Sequence, residues 1–498
     1  MAGFTQNIPP ISLCSLWYFQ ILKIQGEFVS KSMRSFFKNC ASFVAVCFAA
    51  LTITLTCYTP AAKADVIYHA FDECFGDIKT ELPKIKASGY NYIQVSPPNK
   101  TASRLDNACK SNKSNKYWYM QYQPLDYTLG GNLGTEQDLK DLINEAHEKG
   151  IKVIADVVLN HLANYKNVPD YEVKPFPTAY PIFQRQEYFH KQACINNYNN
   201  PSEVENNWLC SKDDPEGLPD LKTGLPYVQE QQQNYLKKLL DFGFDGLRFD
   251  AAKHISRQDM QAILAVIPSD KLYYGEVIGN NYDESMSYIP VFPKVTDFQL
   301  VNTLKDAFSF GGDLRSLVNP SDTKRALPGK DAVTFARNHD TWAPGQFDNW
   351  KFDEGDLPLA TAYVLATSEG TPLILNFDAF NPTVVAGTQF HEKMNGKTQY
   401  YRNGNEIAPA ADSTNLLFIE RGGKGLTIIN KAGTTFDVEA AKMPGLEVGC
   451  YNELQYNFKM CVNKGGDGQK YITEWGSKNR GGINIGSRTA LFFVKAEA

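Results

Sequence analysis

Short apolar runs alternate with helical patterns along most of this chain, and that rhythm limits the folds open to it more than any other feature. Val66 to Ala70 and Tyr90 to Val95 are runs of β-branched and aromatic residues, with a helical pattern between them around Ile78 to Ala87. A helix follows over Thr135 to Gly150. Thr135 and Asp138 form a capping box, Leu139, Leu142, Ile143 and Ala146 share one face, and Gly150 is the stop. The strand Ile151 to Leu159 comes next. The pattern resumes with a helix over Val228 to Leu240, the stretch GFDGLRFDAAKH (243–254), a capped helix over Ser256 to Ile267 and a strand over Leu272 to Val277. Val333 to Ala336 and Leu373 to Phe377 continue it, with a helix over Leu359 to Thr367 between them, and a sixth strand is expected near Val295 to Leu300. Repeated βα units argue for an α/β fold with a parallel sheet, and about eight of them closing on themselves make a (β/α)8 TIM barrel.

The rhythm breaks twice. Residues 163–221 are rich in Asn, Pro and Tyr with little periodicity, which reads as an inserted loop domain after strand 3. After about residue 395, short alternating segments separated by glycines, Leu416 to Glu420, Gly425 to Asn430, Lys470 to Trp475 and Ala490 to Val494, predict a small antiparallel β domain without helices. The expected organisation is therefore barrel over 65–162 and 222–394, insertion over 163–221 and β domain over 395–498.

Residues 1–64 read as a targeting segment. Arg34 and Lys38 precede an apolar run from Ala41 to Cys57, and Ala62-Lys63-Ala64 has the small-x-small form of a cleavage site, so the mature chain should begin at Asp65 and be secreted, with Met33 as the functional start. A membrane anchor is the alternative, but the run is shorter than the roughly 20 residues needed to span a bilayer. Removing residues 1–64 takes away five of the 50 Lys/Arg and one of the 55 Asp/Glu, which moves the net charge from −5 to −9. With no basic cluster anywhere, nucleic acid is excluded as a partner. Six cysteines remain in the exported form, and pairing near neighbours gives Cys74 with Cys109, Cys194 with Cys210 and Cys450 with Cys461. A monomer is expected.

A barrel places its chemistry at the C-terminal ends of its strands. Four expected ends carry polar groups: Asp156 with Asn160 and His161, Arg248 to His254, Glu276, and Asn338-His339-Asp340. Burying a carboxylate is unfavourable unless it is paired or kept for chemistry, and the period of two puts Arg248 on the same face as Asp250. A lone Asp at a strand end is usually a helix cap and a lone His usually a satisfied structural one; here the conjunction decides. Two carboxyls flanking a bond are what glycoside hydrolysis requires, and Trp118, Tyr119 and Tyr122 would stack on sugar faces, with Gln123 to bond a hydroxyl.

With those residues in view, the chain resembles the α-amylases of glycoside hydrolase family thirteen. The segments that carry the resemblance are DVVLNH (156–161), GLRFDAAKH (246–254), EVIG (276–279) and ARNHD (336–340), in order, with VSPPN (95–99) and YQPLDY (122–127) similar to the animal-type branch and its bacterial relatives. The resemblance implies a retaining endo-hydrolase of α-1,4-glucosidic bonds in starch, glycogen and maltooligosaccharides. Asp250 would be the nucleophile, Glu276 the general acid/base and Asp340 the transition-state stabiliser. His161, His339, Lys253 and His254 would bind sugar, and Arg248 would fix Asp250. It implies a structural Ca²⁺ held by Asn160, Asp220 and the carbonyl of His254. It implies a chloride on Arg248 and Asn338 only in part: the third, basic ligand is missing from TPLILNF (371–377), so activity independent of chloride is expected. A glucan transferase or a maltogenic enzyme would share these motifs, and a barrel that has lost catalysis would have lost one of the three acids.

Overall fold

The expected parallel strands form because most of their residues are apolar and both faces are buried, one against the barrel interior and the other against the surrounding helices. In chain order they are β1 (Ile67–Ala70), β2 (Tyr92–Val95), β3 (Lys152–Val157), β4 (Gly246–Phe249), β5 (Leu272–Gly275), β6 (Val295–Thr296), β7 (Ala332–Thr334) and β8 (Thr371–Leu375). Each pairs in parallel with the next and β8 closes on β1, a complete barrel. This computed structural model describes residues 65–102, 118–212, 214–279, 281–343, 347–402, 404–408, 413–476 and 482–497. The targeting segment expected over 1–64 and Cys109 lie outside the described residues, and among those described no helix is long and apolar enough to cross a membrane.

Local chemistry sets the element ends. The helix Glu136–Glu148 starts at Thr135, whose Oγ accepts from the Asp138 N–H at 3.1 Å while the Asp138 carboxylate accepts from the Thr135 N–H at 2.8 Å. This is the expected capping box, and Leu139, Leu142, Ile143 and Ala146 are the buried face. The sixth strand is shorter than expected. Asp297 accepts from the Leu300 N–H and from the Leu327 N–H, each at 2.9 Å, and so opens the helix Phe298–Phe308 directly after Thr296. A buried helix cap there outcompetes continuation of the strand.

Between β3 and the helix Pro226–Phe242, the irregular stretch is held by aromatic packing rather than by ladders. Phe176 lies 5.3 Å from Tyr165, 5.1 Å from Phe189 and 5.9 Å from Trp208, centroid to centroid, and a disulfide joins Cys194 to Cys210. Its return to the barrel is fixed by the Leu221 N–H on the Asn160 carbonyl at 2.9 Å and by the bridge between His161 and Asp220. An antiparallel pair, Asn99–Thr101 with Pro124–Leu129, rises after β2 and is invisible in the sequence pattern.

The last part of the chain is a seven-stranded antiparallel sheet in which all four expected strands are present and Cys450 is bonded to Cys461 across paired strands. The expectation that it lacks helix needs correction. Gly404–Ile407 makes one helical turn, steadied by the ion pair of Arg402 with Glu406, four residues apart, at 2.7 Å. Leu417, Ile419, Ile429 and Phe492 pack in one cluster with Phe390 of the helix Pro382–Lys393 and with Met394 just after it. Arg421, buried in that seam, donates to the carbonyls of Ala366 and Met394 at 2.8 and 2.9 Å. Cys74 is also disulfide-bonded.

Candidate active site

Adjacent barrel strands carry Asp156, Arg248 and Tyr274 level with one another, because β3 pairs with β4 and β4 with β5 in that register. Asp250 follows β4 by one residue and Glu276 follows β5 by one, so their side chains emerge side by side at the carboxyl end of the barrel. The guanidinium of Arg248 joins them. Nη1 donates to Asp156 Oδ1 at 2.6 Å and to Asp250 Oδ1 at 2.9 Å, and Nη2 donates to Glu276 Oε1. The sequence pointed to one partner for Arg248, and the barrel supplies three.

The turn after Asp250 adds a further donor. Ala251 has φ of +47°, a left-handed conformation that an L residue adopts at some expense, and its N–H points at Glu276 Oε2, 3.0 Å away. Asp340 enters from the short helix His339–Trp342 after β7, where Asn338 caps the helix by accepting from the Thr341 N–H at 3.0 Å. Ligand-capable atoms of Glu276, His339 and Asp340 lie within 4.8 Å of one another.

Four carboxyls thus gather about one cation in a dry site, and they cannot all be charged. Burial pushes Asp156 up to about 6 against the pull of Arg248. Burial also raises Asp250 well above the usual carboxylate range, again opposed by Arg248. Asp340 rises well above that range through burial and the neighbouring charge of Glu276. Burial lowers His339 well below its ordinary value, and the ring is neutral.

Beside the carboxyls lies an aromatic wall. His339 stacks on Tyr122 at 5.0 Å and 8° and on Phe71 at 4.8 Å and 26°, with the Trp118 ring edge-on to Phe71 at 5.5 Å. Tyr119 is 42% exposed at the rim. Phe71 and Trp342, both part of this cluster, do not stand out in the sequence; Phe71 looks there like the continuation of β1. Tyr198 of the insertion is another residue that sequence reasoning misses. It is 44% exposed, with the His254 ring edge-on at 6.1 Å and Lys253 Nζ 5.9 Å from its ring centre.

The other expected contacts have partners of their own. Gln123 Oε1 accepts from the Asn164 N–H at 3.2 Å and from Asn167 Nδ2 at 2.9 Å, so this side chain braces the insertion. His161 bonds the Tyr122 carbonyl through Nε2 at 3.0 Å, and burial takes it down to about 4. His254 bonds the Val204 carbonyl through Nδ1 at 3.2 Å. Lys253 donates to the Ile278 carbonyl at 2.9 Å. Asn160 and Asp220 meet where the insertion returns to the barrel. Both are 1% exposed, Asp220 Oδ2 pairs with His190 Nδ1 at 2.6 Å, and Asp220 Oδ1 and Asn160 Nδ2 have no partner. Burial pushes Asp220 up to about 6.

Known proteins are similar to this chain over most of its described length. The family model described as the α-amylase catalytic domain matches residues 75–311. An α-amylase of Aeromonas hydrophila is 34% identical over 345 residues, covering 63% of this chain and 72% of the relative. The chain belongs to the α-amylase family. An α-amylase of Tribolium castaneum is 30% identical over 357 residues, with 68% of this chain and 70% of the relative covered. Among solved structures, α-amylase I of Eisenia fetida in complex with maltohexaose shares the fold at a TM-score of 0.67 and 22% identity, over 85% of this chain and 97% of that one. A cyclomaltodextrin glucanotransferase with a three-domain arrangement is also similar, at a TM-score of 0.64 and 20% identity, covering 88% of this chain and 100% of that one.

Proposed function

We propose that this glycoside hydrolase is a secreted, retaining endo-enzyme that cleaves internal α-1,4-glucosidic bonds of starch, glycogen and maltooligosaccharides. The observation that carries the reading is the single guanidinium of Arg248 holding Asp250 and Glu276 together at adjacent strand ends. Asp250 is the nucleophile. Glu276 donates a proton to the leaving oxygen and later takes one from water, and Asp340 grips the sugar hydroxyls as the ring flattens. Retaining enzymes need the two carboxyls about 5 to 5.5 Å apart, a spacing that neighbouring strands about 4.8 Å apart supply. Attack by Asp250 inverts the α-linked carbon once and water inverts it again. The first product should therefore be the α-anomer, seen by NMR of freshly cleaved maltoheptaose. A β-anomer appearing first would remove Asp250 as nucleophile. Sizing the oligosaccharides released from soluble starch distinguishes an endo-hydrolase from a maltogenic enzyme or a transferase.

Calcium fits the residues where the insertion meets the barrel. A buried carboxylate oxygen without a partner next to a buried asparagine amide is a poor arrangement for an empty protein and a good one for a hard cation. Asn160, Asp220 and the carbonyl of His254 would hold it, and the ion would supply a cross-link between insertion and barrel. Chelation is expected to lower the Tm by several degrees, as a ligand that binds only the folded state requires; an unchanged Tm would remove the site. Chloride fits less well. Arg248 is already committed to three carboxylates, and the Asn338 amide oxygen caps its own helix. Activity after dialysis should be the same with and without added NaCl at constant ionic strength, and marked activation would show that an anion competes successfully for Arg248.

A further inference from the structure

Deeper in the barrel, below the carboxyls, runs a polar chain to which the proposed chemistry gives no role. Tyr274 on β5 and Gln94 on β2 are buried in the barrel interior. Tyr274 donates its hydroxyl to Gln94 Oε1, and Gln94 Nε2 donates to Asp156 Oδ2 at 3.4 Å. The same oxygen accepts the Tyr122 hydroxyl at 3.0 Å, and the other oxygen accepts Arg248 Nη1 at 2.6 Å. Asp156 is thereby held by donors on both oxygens.

A glutamine side chain has nearly the same shape either way round, so its orientation is decided by where protons lie. Turned over, Gln94 would set its carbonyl oxygen against the Asp156 carboxylate, acceptor against acceptor in a site with little water. Tyr274 prevents this. Its hydroxyl has one proton to give, burial holds the phenol far above its ordinary range, and an acceptor on Gln94 is the partner that satisfies it. We infer that Tyr274 and Gln94 are positioning residues for the reaction: together they keep an N–H on Asp156, and Asp156 in turn anchors the guanidinium that presents Asp250 and Glu276.

This inference rests on the reading of Asp250 and Glu276 as the reacting carboxyls. The charged and titratable groups that face Asp156 are Arg248, Glu276, Asp250, Tyr122, Tyr274 and Tyr235. Removing a donor from Asp156 makes its charged form less favourable, so it takes up a proton at higher pH and releases its hold on Arg248.

The test is Tyr274→Phe in the full enzyme, with kcat and KM for maltoheptaose measured across pH. The expected result is a roughly ten-fold lower kcat with KM little changed, and an acid limb moved upward by about 1 to 2 pH units, the size of one lost hydrogen bond to a charged group. In a Gln94→Leu background, Tyr274→Phe should add little, because the route through the amide is already cut. Unchanged kcat and acid limb would overturn the inference. So would an equal loss at every pH with a lowered Tm, or full additivity of the two substitutions. Asp250→Asn in the same assay keeps the two ideas apart: if that variant stays active the catalytic assignment fails, whatever Tyr274→Phe does.

Discussion

Asp250→Asn and Glu276→Gln should each reduce starch cleavage by at least about 10³-fold while the Tm stays within a few degrees of the parent. Loss of a nucleophile or of a general acid removes a step that no neighbour replaces, and general acid/base catalysis alone accounts for about 10² to 10⁴-fold. Both changes preserve shape. An asparagine at 250 keeps an oxygen for Arg248 Nη1, and a glutamine at 276 keeps one for Nη2, at the loss of the second oxygen that accepts the Ala251 N–H. Each also takes one negative charge out of a site where four carboxyls crowd one cation, so stability has no reason to fall. Cleavage assays paired with thermal melts decide the matter. A variant that keeps a tenth of the activity would move the catalytic role elsewhere, and a variant that unfolds would show that the carboxylate was structural.

The second large effect concerns stability. Arg248→Met should destabilise the fold by about 3 to 5 kcal/mol at neutral pH and abolish activity, because it strips the cation from buried carboxylates and leaves them uncompensated. The pH dependence gives the sign. Arg248 lowers Asp156, Asp250 and Asp340 against burial, and Asp156 still stands at about 6 with the guanidinium in place. Without it these acids rise further. An acid raised in the folded state favours folding only while protonated, so its contribution is present below its ordinary value and is lost as pH rises through the folded one. The stability gap between variant and parent should therefore be widest near neutral pH and narrow toward pH 4, as urea melts across that range would show. A gap independent of pH would mean that Arg248 acts through packing alone.

Much of the site is legible in the amino-acid sequence, for a physical reason. Asp250, Glu276 and Asp340 lie in or within four residues of apolar runs, and the strand and its end are one local pattern. The same holds for the Thr135 cap and for the buried face of the following helix. Where the sequence is silent, the cause is nonlocal. Gln123 is braced through Oε1 by Asn164 and Asn167, far along the chain, which no local pattern shows. Phe71, Trp342 and Tyr198 carry no motif and matter only because loops from distant segments converge. The sixth strand stops at Thr296 because Asp297 finds the Leu327 N–H, 30 residues onward.

By itself, then, the sequence determined the βα rhythm, the break for the insertion, the antiparallel texture of the last hundred or so residues and the order of the charged strand ends, since hydrophobic period, caps and turn residues act over a few positions. The tertiary structure alone decided that one guanidinium would serve Asp156, Asp250 and Glu276, that Asp340 would come beside Glu276, and that Tyr274 would reach Gln94 across the barrel. Those facts depend on barrel closure and on which residues stand level on neighbouring strands, and closure is a property of all eight strands at once.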